Sequence, residues 1–210
     1  MGAAVKIEGG FAEVGAGEWL VGRGQPAAFF GAFRRLRRRG WFVKDRAALD
    51  RVRTGGRAFF SIADAPFLTH IPCAEKISAV SSKVLVAPVV ARTSAEVFKP
   101  VPMSIRGSFA TTIFEHEWVV VATRSRTARI VVEDGQTLSV RPNAAVAWTG
   151  NRPTGFCARL GLLDLLLSVA PRELALNFHG PCIVWIEGAP GGMRTMVGRV
   201  VPNAPHRRVG

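Results

Sequence analysis

Hydrophobic and polar positions between Glu117 and Gly188 fall into short runs that are rich in β-branched and aromatic residues. Gly, Pro, Asn and Asp separate these runs at the spacing that is typical of a sandwich or barrel. The runs predict strands over Glu117–Thr123, Ala128–Val132, Gln136–Val140, Ala144–Trp148, Arg172–Asn177 and Cys182–Glu187. The pattern therefore indicates an all-β fold.

The earlier part of the chain carries weaker signals of the same kind. Strands are predicted over Val5–Ile7, Glu18–Val21, Ala58–Ile62, Phe67–Ile71, Lys76–Val80, Lys83–Ala91 and Val97–Val101. Trp41–Thr54 fits either a helical turn that begins near Asp45 or an irregular crossing loop.

Pro26–Arg39 differs from its surroundings because its apolar residues follow a helical period. Phe29, Phe30, Phe33 and Leu36 would share one face, and Gly40 would end the helix. The opposite face would carry Arg34, Arg35, Arg37, Arg38 and Arg39. Such a helix could cap an open end of the sandwich with its arginines in water. It could also contact an anionic lipid surface or a nucleic acid.

Several segments of the first half resemble segments of the second. Ala58–Ile71 resembles Glu173–Ile186, and Lys83–Ala91 resembles Leu138–Ala147. Glu18–Val21 likewise resembles Glu117–Val120. These similarities predict a duplicated β unit, and chance likeness among Val-rich strands is the alternative.

The predicted fold is a two-sheet, jelly-roll-like sandwich with one or two short helices. A single domain would span residues 1–210, with an N-terminal half over 1–107, a C-terminal half over 108–190 and a tail over 191–210.

Charge is concentrated in one part of the chain. The net charge is +13, and Arg23–Arg57 alone contains 11 basic and 2 acidic residues. A field of this sign attracts phosphate polymers and anionic lipids, but a solvated arginine-rich surface has the same composition.

Cysteine usage and hydropathy indicate a cytoplasmic protein. Cys73, Cys157 and Cys182 form no close pair, as expected of thiols in a reducing compartment. The first 20 residues show no signal peptide, and no apolar run is long enough to span a membrane.

Residue types that serve in catalytic and metal sites are present in the chain, but they do not have the spacing that such sites need. The four histidines, at positions 70, 116, 179 and 206, do not form a metal-binding pattern. No nucleophile elbow or phosphate-binding loop is found. We therefore predict no catalytic residue, no metal and no cofactor.

A Leu-rich insert over Leu160–Val169 is too apolar for a free surface loop. It should pack on the sandwich or form a contact between subunits. The residues expected at such a contact are Leu162, Leu163, Leu166 and Leu167.

The order of motifs in residues 110–188 resembles the mitochondrial-biogenesis (altered-inheritance-of-mitochondria) family. The motifs are Glu117-Trp118, Glu133-Asp134-Gly135, Leu138-Ser139-Val140, Val146-Ala147-Trp148, Leu162–Leu167, Glu173–Leu176 and Gly180–Ile186. The resemblance implies a sandwich similar to that of the tryptophan RNA-binding attenuation protein, in an oligomer. No activity comes with it, because fold likeness transfers none.

Two functions follow as expectations. The first is a non-enzymatic scaffold or interaction protein that self-associates. The alternative is a nucleic-acid or anionic-membrane binder that uses the arginines between positions 34 and 39.

Overall fold

In the part of the chain that the structure describes, the regular secondary structure is almost entirely antiparallel strand, which confirms the all-β prediction. The computed structural model describes residues 4–22, 26–36, 49–73, 76–89, 94–98, 109–115, 117–150, 152–157, 174–188 and 201–202. Within these segments the only helical element is the 3-10 helix η1 (Ser81–Lys83).

The strands are β1 (Val5–Glu8), β2 (Phe11–Val14), β3 (Gly17–Val21), β4 (Ala28–Phe29), β5 (Phe33–Leu36), β6 (Asp50–Thr54), β7 (Ala58–Phe60), β8 (Phe67–Pro72), β9 (Lys76–Val80), β10 (Val84–Pro88), β11 (Ser94–Phe98), β12 (Phe109–Glu115), β13 (Trp118–Thr123), β14 (Thr127–Val132), β15 (Gln136–Val140), β16 (Ala145–Thr149), β17 (Thr154–Cys157), β18 (Leu174–His179), β19 (Cys182–Glu187) and β20 (Val201–Pro202).

These strands form four sheets. Sheet A has the order β1-β2-β7-β4, and sheet B has the order β5-β6-β3-β10-β13-β8. Sheet C has the order β11-β12-β9-β16-β19-β14, and sheet D has the order β17-β18-β15-β20. All the pairings are antiparallel.

Three hydrophobic cores show that the sheets stack as layers in the order A, B, C, D. The first core joins sheets A and B and contains Phe60 and Trp19. The second joins sheets B and C through residues such as Ile71 and Phe114. The third joins sheets C and D and contains Trp148 and Phe178. The sandwich therefore has four layers rather than the two that the sequence predicted.

The central strands β10, β13 and β16 are buried on both faces, which explains their uninterrupted apolar sequences. Every residue of β13 is buried. Trp118 and Val120 belong to the core against sheet A, whereas Val119 and Val121 belong to the core against sheet C. A strand between two layers has no polar face, so its sequence does not alternate.

The order of the strands reveals three structural repeats of six strands each: β3–β8, β9–β14 and β15–β20. In each repeat the second and fifth strands lie in the preceding sheet, and the other four lie in the repeat's own sheet. The first strands begin at residues 17, 76 and 136, which are 59 and 60 positions apart. The structure therefore has three repeats with a period of 59 to 60 residues where the sequence predicted two halves.

The predicted helix over Pro26–Arg39 is wrong where the structure describes it. Ala28–Phe29 and Phe33–Leu36 are strands β4 and β5. Gly31 has a φ of +78°, a left-handed conformation that breaks the helical period between them. At the end of the ambiguous Trp41–Thr54 segment, Asp50–Thr54 forms strand β6.

The structure shows no helix, in the segments it describes, with the length and apolar composition needed to cross a membrane.

Candidate interaction surfaces

The predicted site residues fall into two groups. Arg34 and Arg35 lie on β5, the edge strand of sheet B. Arg37, Arg38, Arg39, Leu162, Leu163, Leu166 and Leu167 lie outside the described residues.

An exposed aromatic turn precedes β5. Phe29 and Phe30 are 49% and 57% exposed, at the tip where β4 ends. Backbone hydrogen bonds hold this turn against the turn between β6 and β7. Phe30 N–H donates to the carbonyl of Arg57 at 2.8 Å, and Gly55 N–H donates to that of Ala32 at 2.7 Å. The two phenylalanines are thus presented on a fixed backbone.

Contacts with neighbouring rings hold the Phe29 and Phe30 side chains in place. The Phe29 ring lies 5.5 Å from that of Phe33, centroid to centroid, and the Phe30 ring lies 6.2 Å from that of Phe59. The Arg57 guanidinium lies 4.8 Å from the Phe30 centroid, within the range of a cation–π contact. With these contacts in place, the residues Phe29 and Phe30 are still 49% and 57% exposed.

Three arginines of β5 and β6 lie on the face of sheet B opposite to the one that carries Phe33. Arg34 on β5 is paired in register with Arg53 on β6, and Leu36 is paired with Arg51. Alternation along the strands therefore places Arg34, Arg51 and Arg53 on one exposed face of sheet B. Like charges directly opposite each other destabilise a strand pair, so this arrangement needs compensating anions.

Carboxylates of the protein supply part of that compensation. Glu18 on β3 forms ion pairs with both Arg51 and Arg53, and their hydrogen bonds, led by that from Arg53, lower the pKa of its carboxyl. Asp50 pairs with Arg35. Among the described residues Arg34 has no ion-pair partner.

Phe30 and Arg57 contact Phe59 and Glu13 on the outer face of sheet A, whereas Arg34 and Arg53 lie on the face of sheet B that is turned away from sheet A. The Arg57–Glu13 ion pair measures 3.4 Å. The charge pattern of the sequence points to Arg34 and its neighbours, and it gives no comparable indication for Arg53 and Arg57. The alternation of Arg51-Val52-Arg53-Thr54 before Gly55-Gly56 was the available signal, since it has the period of a strand that ends in a turn.

A second surface lies at the opposite side of the stack, where β8 ends sheet B and β14 ends sheet C. The hydroxyls of Thr69 on β8 and Thr127 on β14 are 3.2 Å apart, so the two edges lie side by side. β14 exposes Val131 to 54% and carries one charged residue, Arg129. β8 contains Pro72, a residue that natural edge strands use to block pairing.

No group of three or more His, Cys, Asp and Glu side chains that could hold a metal is found within the described part of the chain. Cys182 is a buried cysteine outside any disulfide, and burial raises the pKa of its thiol. The buried Cys73 thiol donates to the carbonyl of Phe114 at 3.4 Å.

Comparison with known proteins identifies the fold. No family model and no curated protein matches the sequence. The crystal structure of protein SPYM3_0169 from Streptococcus pyogenes is similar, with a TM-score of 0.64 and 11% sequence identity. The similarity covers 89% of this chain and 93% of that one. At this identity the likeness establishes a shared all-β fold and nothing about activity.

Proposed function

We propose that this chain is a non-enzymatic scaffold or interaction protein of the mitochondrial-biogenesis-like family, and that it acts by self-association in the cytoplasm. The family assignment is supported by the motifs between residues 110 and 188, which lie on strands such as β13, β15 and β19. The buried thiol of Cys182, which forms no disulfide, supports a reducing compartment.

The observation that carries self-association is the open edge of β14. This six-residue strand pairs with β19 on one side, and it ends the strand order of sheet C as described. An unpaired strand edge of this length offers a row of backbone donors and acceptors to a second chain. Its exposed Val131 adds apolar contact area to such a pairing.

A second copy of the same strand can pair with β14 around a two-fold axis. In a two-fold antiparallel register with Ile130 on the axis, Ile130 lies opposite its own copy, and Arg129 of one copy lies opposite Val131 of the other. This register joins two copies of sheet C without placing like charges opposite each other. The neighbouring two-fold register would set Arg129 against Arg129, which is unfavourable.

Replacement of Val131 by lysine tests this interface. We expect the Val131→Lys variant to dissociate at least tenfold more readily than the wild type, since each copy would bring a new cation to the contact. The measurement is molar mass by light scattering over a dilution series. Ile7→Lys is the matched control, because Ile7 is a 37% exposed apolar residue on β1, at the edge of sheet A.

The expected result is a multiple of 22.6 kDa for wild type and Ile7→Lys, with a smaller species for Val131→Lys. Equal masses for all three proteins would contradict the β14 interface. A monomer in every case would contradict self-association itself.

A further inference from the structure

The strand order of the repeats leaves one kind of junction half-formed at each end of the stack. The second strand of a repeat pairs with the first strand of the preceding repeat, as β10 does with β3 and β16 does with β9. β4 is the second strand of the first repeat, and β15 is the first strand of the third. Neither has such a partner among the described strands, because β4 ends sheet A and β15 meets β20 only at Gln136 and Thr137. One chain therefore carries both halves of a junction that it does not form with itself.

The open edge of β4 is centred on Phe29. Phe30 N–H donates to the carbonyl of Arg57, and backbone groups alternate in direction along a strand, so those of Phe29 point away from β7. Its counterparts are Ala87 on β10 and Trp148 on β16, which face the core of their repeat's own sheet as the β7 partner of Phe29 does. Ala87 and Trp148 are 0% and 2% exposed, whereas Phe29 is 49% exposed. The neighbouring strand that covers the counterparts accounts for this difference.

The open edge of β15 is centred on Ser139. Gly180 N–H donates to the carbonyl of Gln136, so the same alternation directs the backbone groups of Ser139 away from β18. Its counterparts are Leu20 on β3 and Ser78 on β9, because each lies between two residues that are buried in the core against the preceding sheet. Both edges thus present backbone donors and acceptors at equivalent places of the repeat.

The two junctions that are formed supply the register for these open edges. In β3–β10 and in β9–β16, the counterpart of Ser139 is paired directly with the counterpart of Phe29. We propose that β4 of one copy pairs antiparallel with β15 of a second copy, with Phe29 opposite Ser139 and each N–H donating to the other's carbonyl. Sheet A of one copy then continues sheet D of the next. This contact rests on the proposed self-association, but it uses other surfaces than β14.

Apolar residues beside the two edges support the same contact. Phe59 on β7 lies on the outer face of sheet A, between two residues of the first core, and is half-buried. Its counterpart Trp185 on β19 is buried in the second core together with Ile71 on β8. Ile130 on β14 corresponds to Ile71 and is partly buried at the border of the third core. The proposed contact places Phe59 of one copy near Ile130 of the other, so that each covers the other.

This contact joins two different surfaces of the chain, so each copy binds one neighbour at β4 and another at β15. Heterologous contacts of this kind close into a ring when the rotation between neighbours allows it, and closed assemblies predominate among soluble oligomers. We therefore expect a ring of defined mass.

Disulfide cross-linking between two variants tests the register. Phe29→Cys protein is mixed with Ser139→Cys protein under mild oxidation, and covalent dimers are measured on a non-reducing gel. The Cα atoms of a hydrogen-bonded antiparallel pair are about 5.5 Å apart, within the range that a disulfide spans. We expect at least tenfold more dimer than from Phe29→Cys mixed with Thr137→Cys, a matched control two residues out of register. Neither Phe29→Cys nor Ser139→Cys should form the dimer alone.

Removal of one backbone donor tests the same contact without cysteine. Ser139→Pro removes the N–H that donates to Phe29, whereas Ser139→Ala removes the same hydroxyl and keeps the N–H. Both substitutions are made together with Val131→Lys, so that the β14 contact does not mask the effect. Light scattering over a dilution series should show that the protein with Ser139→Pro dissociates at least tenfold more readily than the protein with Ser139→Ala.

Two results would overturn this contact and leave the β14 contact in place. One is a wild-type oligomer that Val131→Lys dissociates but for which the Phe29→Cys and Ser139→Cys mixture yields no more dimer than the control mixture. The other is equal dissociation of the proteins with Ser139→Pro and Ser139→Ala. A wild-type monomer that gives no cross-link would overturn both this contact and the proposed self-association.

Discussion

Four arginines of the basic segment form ion pairs in the structure, whereas the sequence alone suggests a dense positive charge without compensation. The segment Arg23–Arg57 contains 11 basic and 2 acidic residues. The structure brings Glu13 and Glu18 from the first strands to this segment, so that four of the five arginines that the structure describes in it have carboxylate partners. A count within a window cannot register these pairs, because the carboxylates are up to 44 residues away in the chain. Arg34 has no carboxylate partner among the described residues, and its role as an anion contact stays a prediction.

A largely buried ion pair gives the first prediction at this scale. Lys83 and Glu187 pair at 2.8 Å with side-chain exposures of 16% and 13%, and burial lowers the pKa of the Lys83 ammonium although its hydrogen bond to Glu187 opposes this. Glu187→Gln keeps an oxygen acceptor but leaves the Lys83 charge unpaired. We expect a loss of about 2 kcal/mol in urea unfolding, less than a fully buried pair costs.

The double variant Lys83→Met/Glu187→Gln is the control for this prediction. The double variant removes both charges. Its loss of stability should therefore be smaller than the sum of the losses measured for Lys83→Met and Glu187→Gln separately. Additive losses would show that the pair is not coupled.

His70 gives a prediction about pH. Its ring lies 5.7 Å from that of Trp118, and partial burial lowers its pKa below the ordinary value of 6.5. As pH falls through 6.5 the unfolded chain takes up the proton first, so stability falls. We expect the wild type to lose more stability than His70→Gln between about pH 7.5 and pH 5 in urea titrations. Parallel pH profiles would show that His70 makes no contribution.

Elements could be predicted well where burial alone decides the structure. The strands over Lys76–Val80, Gln136–Val140 and Cys182–Glu187 have the bounds that their apolar patterns indicate. The error over Phe29–Leu36 has a physical cause, since the helical spacing of its apolar residues also fits two short strands joined at Gly31. Tertiary contacts stabilise the strand conformation over the helix. β5 pairs with β6, and Phe33 packs on the first core. Local sequence carries no information about that partner.

A close approach between elements gives a prediction at this scale. A Cβ on Gly22, which follows β3, would lie 2.0 Å from the carbonyl oxygen of Val84 at the start of β10. Gly22→Ala must therefore push the first repeat away from the second. We expect a loss of about 2–3 kcal/mol, as for other overpacked sites.

Gly15→Ala is the matched control for this substitution. A Cβ at Gly15 meets no atom within 4 Å, and its φ is not in the left-handed region. Urea unfolding should therefore show a change of less than about 0.5 kcal/mol for Gly15→Ala. Equal losses for the two variants would mean that the approach of Gly22 to Val84 is unimportant.

At the scale of the whole molecule, the three repeats were beyond reach of the sequence. Equivalent strands share burial rather than residues, as GEWLV, KISAV and QTLSV show for β3, β9 and β15. Of the three similarities found in the sequence, the one between Lys83–Ala91 and Leu138–Ala147 aligns β10, the second strand of its repeat, with β15, the first strand of the next. The other two also match strands at different positions of their repeats, because any buried Val-rich strand resembles another.

The exchange of strands between repeats predicts cooperative unfolding. Sheet B contains β10 and β13 from the second repeat, and sheet C contains β16 and β19 from the third. No repeat can therefore unfold without opening a neighbouring sheet. We expect core amides of β3 and β15 to exchange hydrogen with opening free energies that agree within about 1 kcal/mol. A large difference between the two ends of the stack would show that the repeats unfold separately.

The central claim is that this protein assembles with itself through an exposed strand edge. Light scattering of the purified protein at low and high salt, with the ratio of absorbance at 260 and 280 nm, tests it most directly. The account predicts a defined multiple of 22.6 kDa that persists in high salt, because backbone pairing and apolar contact at β14 are little screened, and that carries no nucleic acid. A 22.6 kDa monomer at all concentrations would contradict it. So would a complex that dissociates at high salt and absorbs strongly at 260 nm.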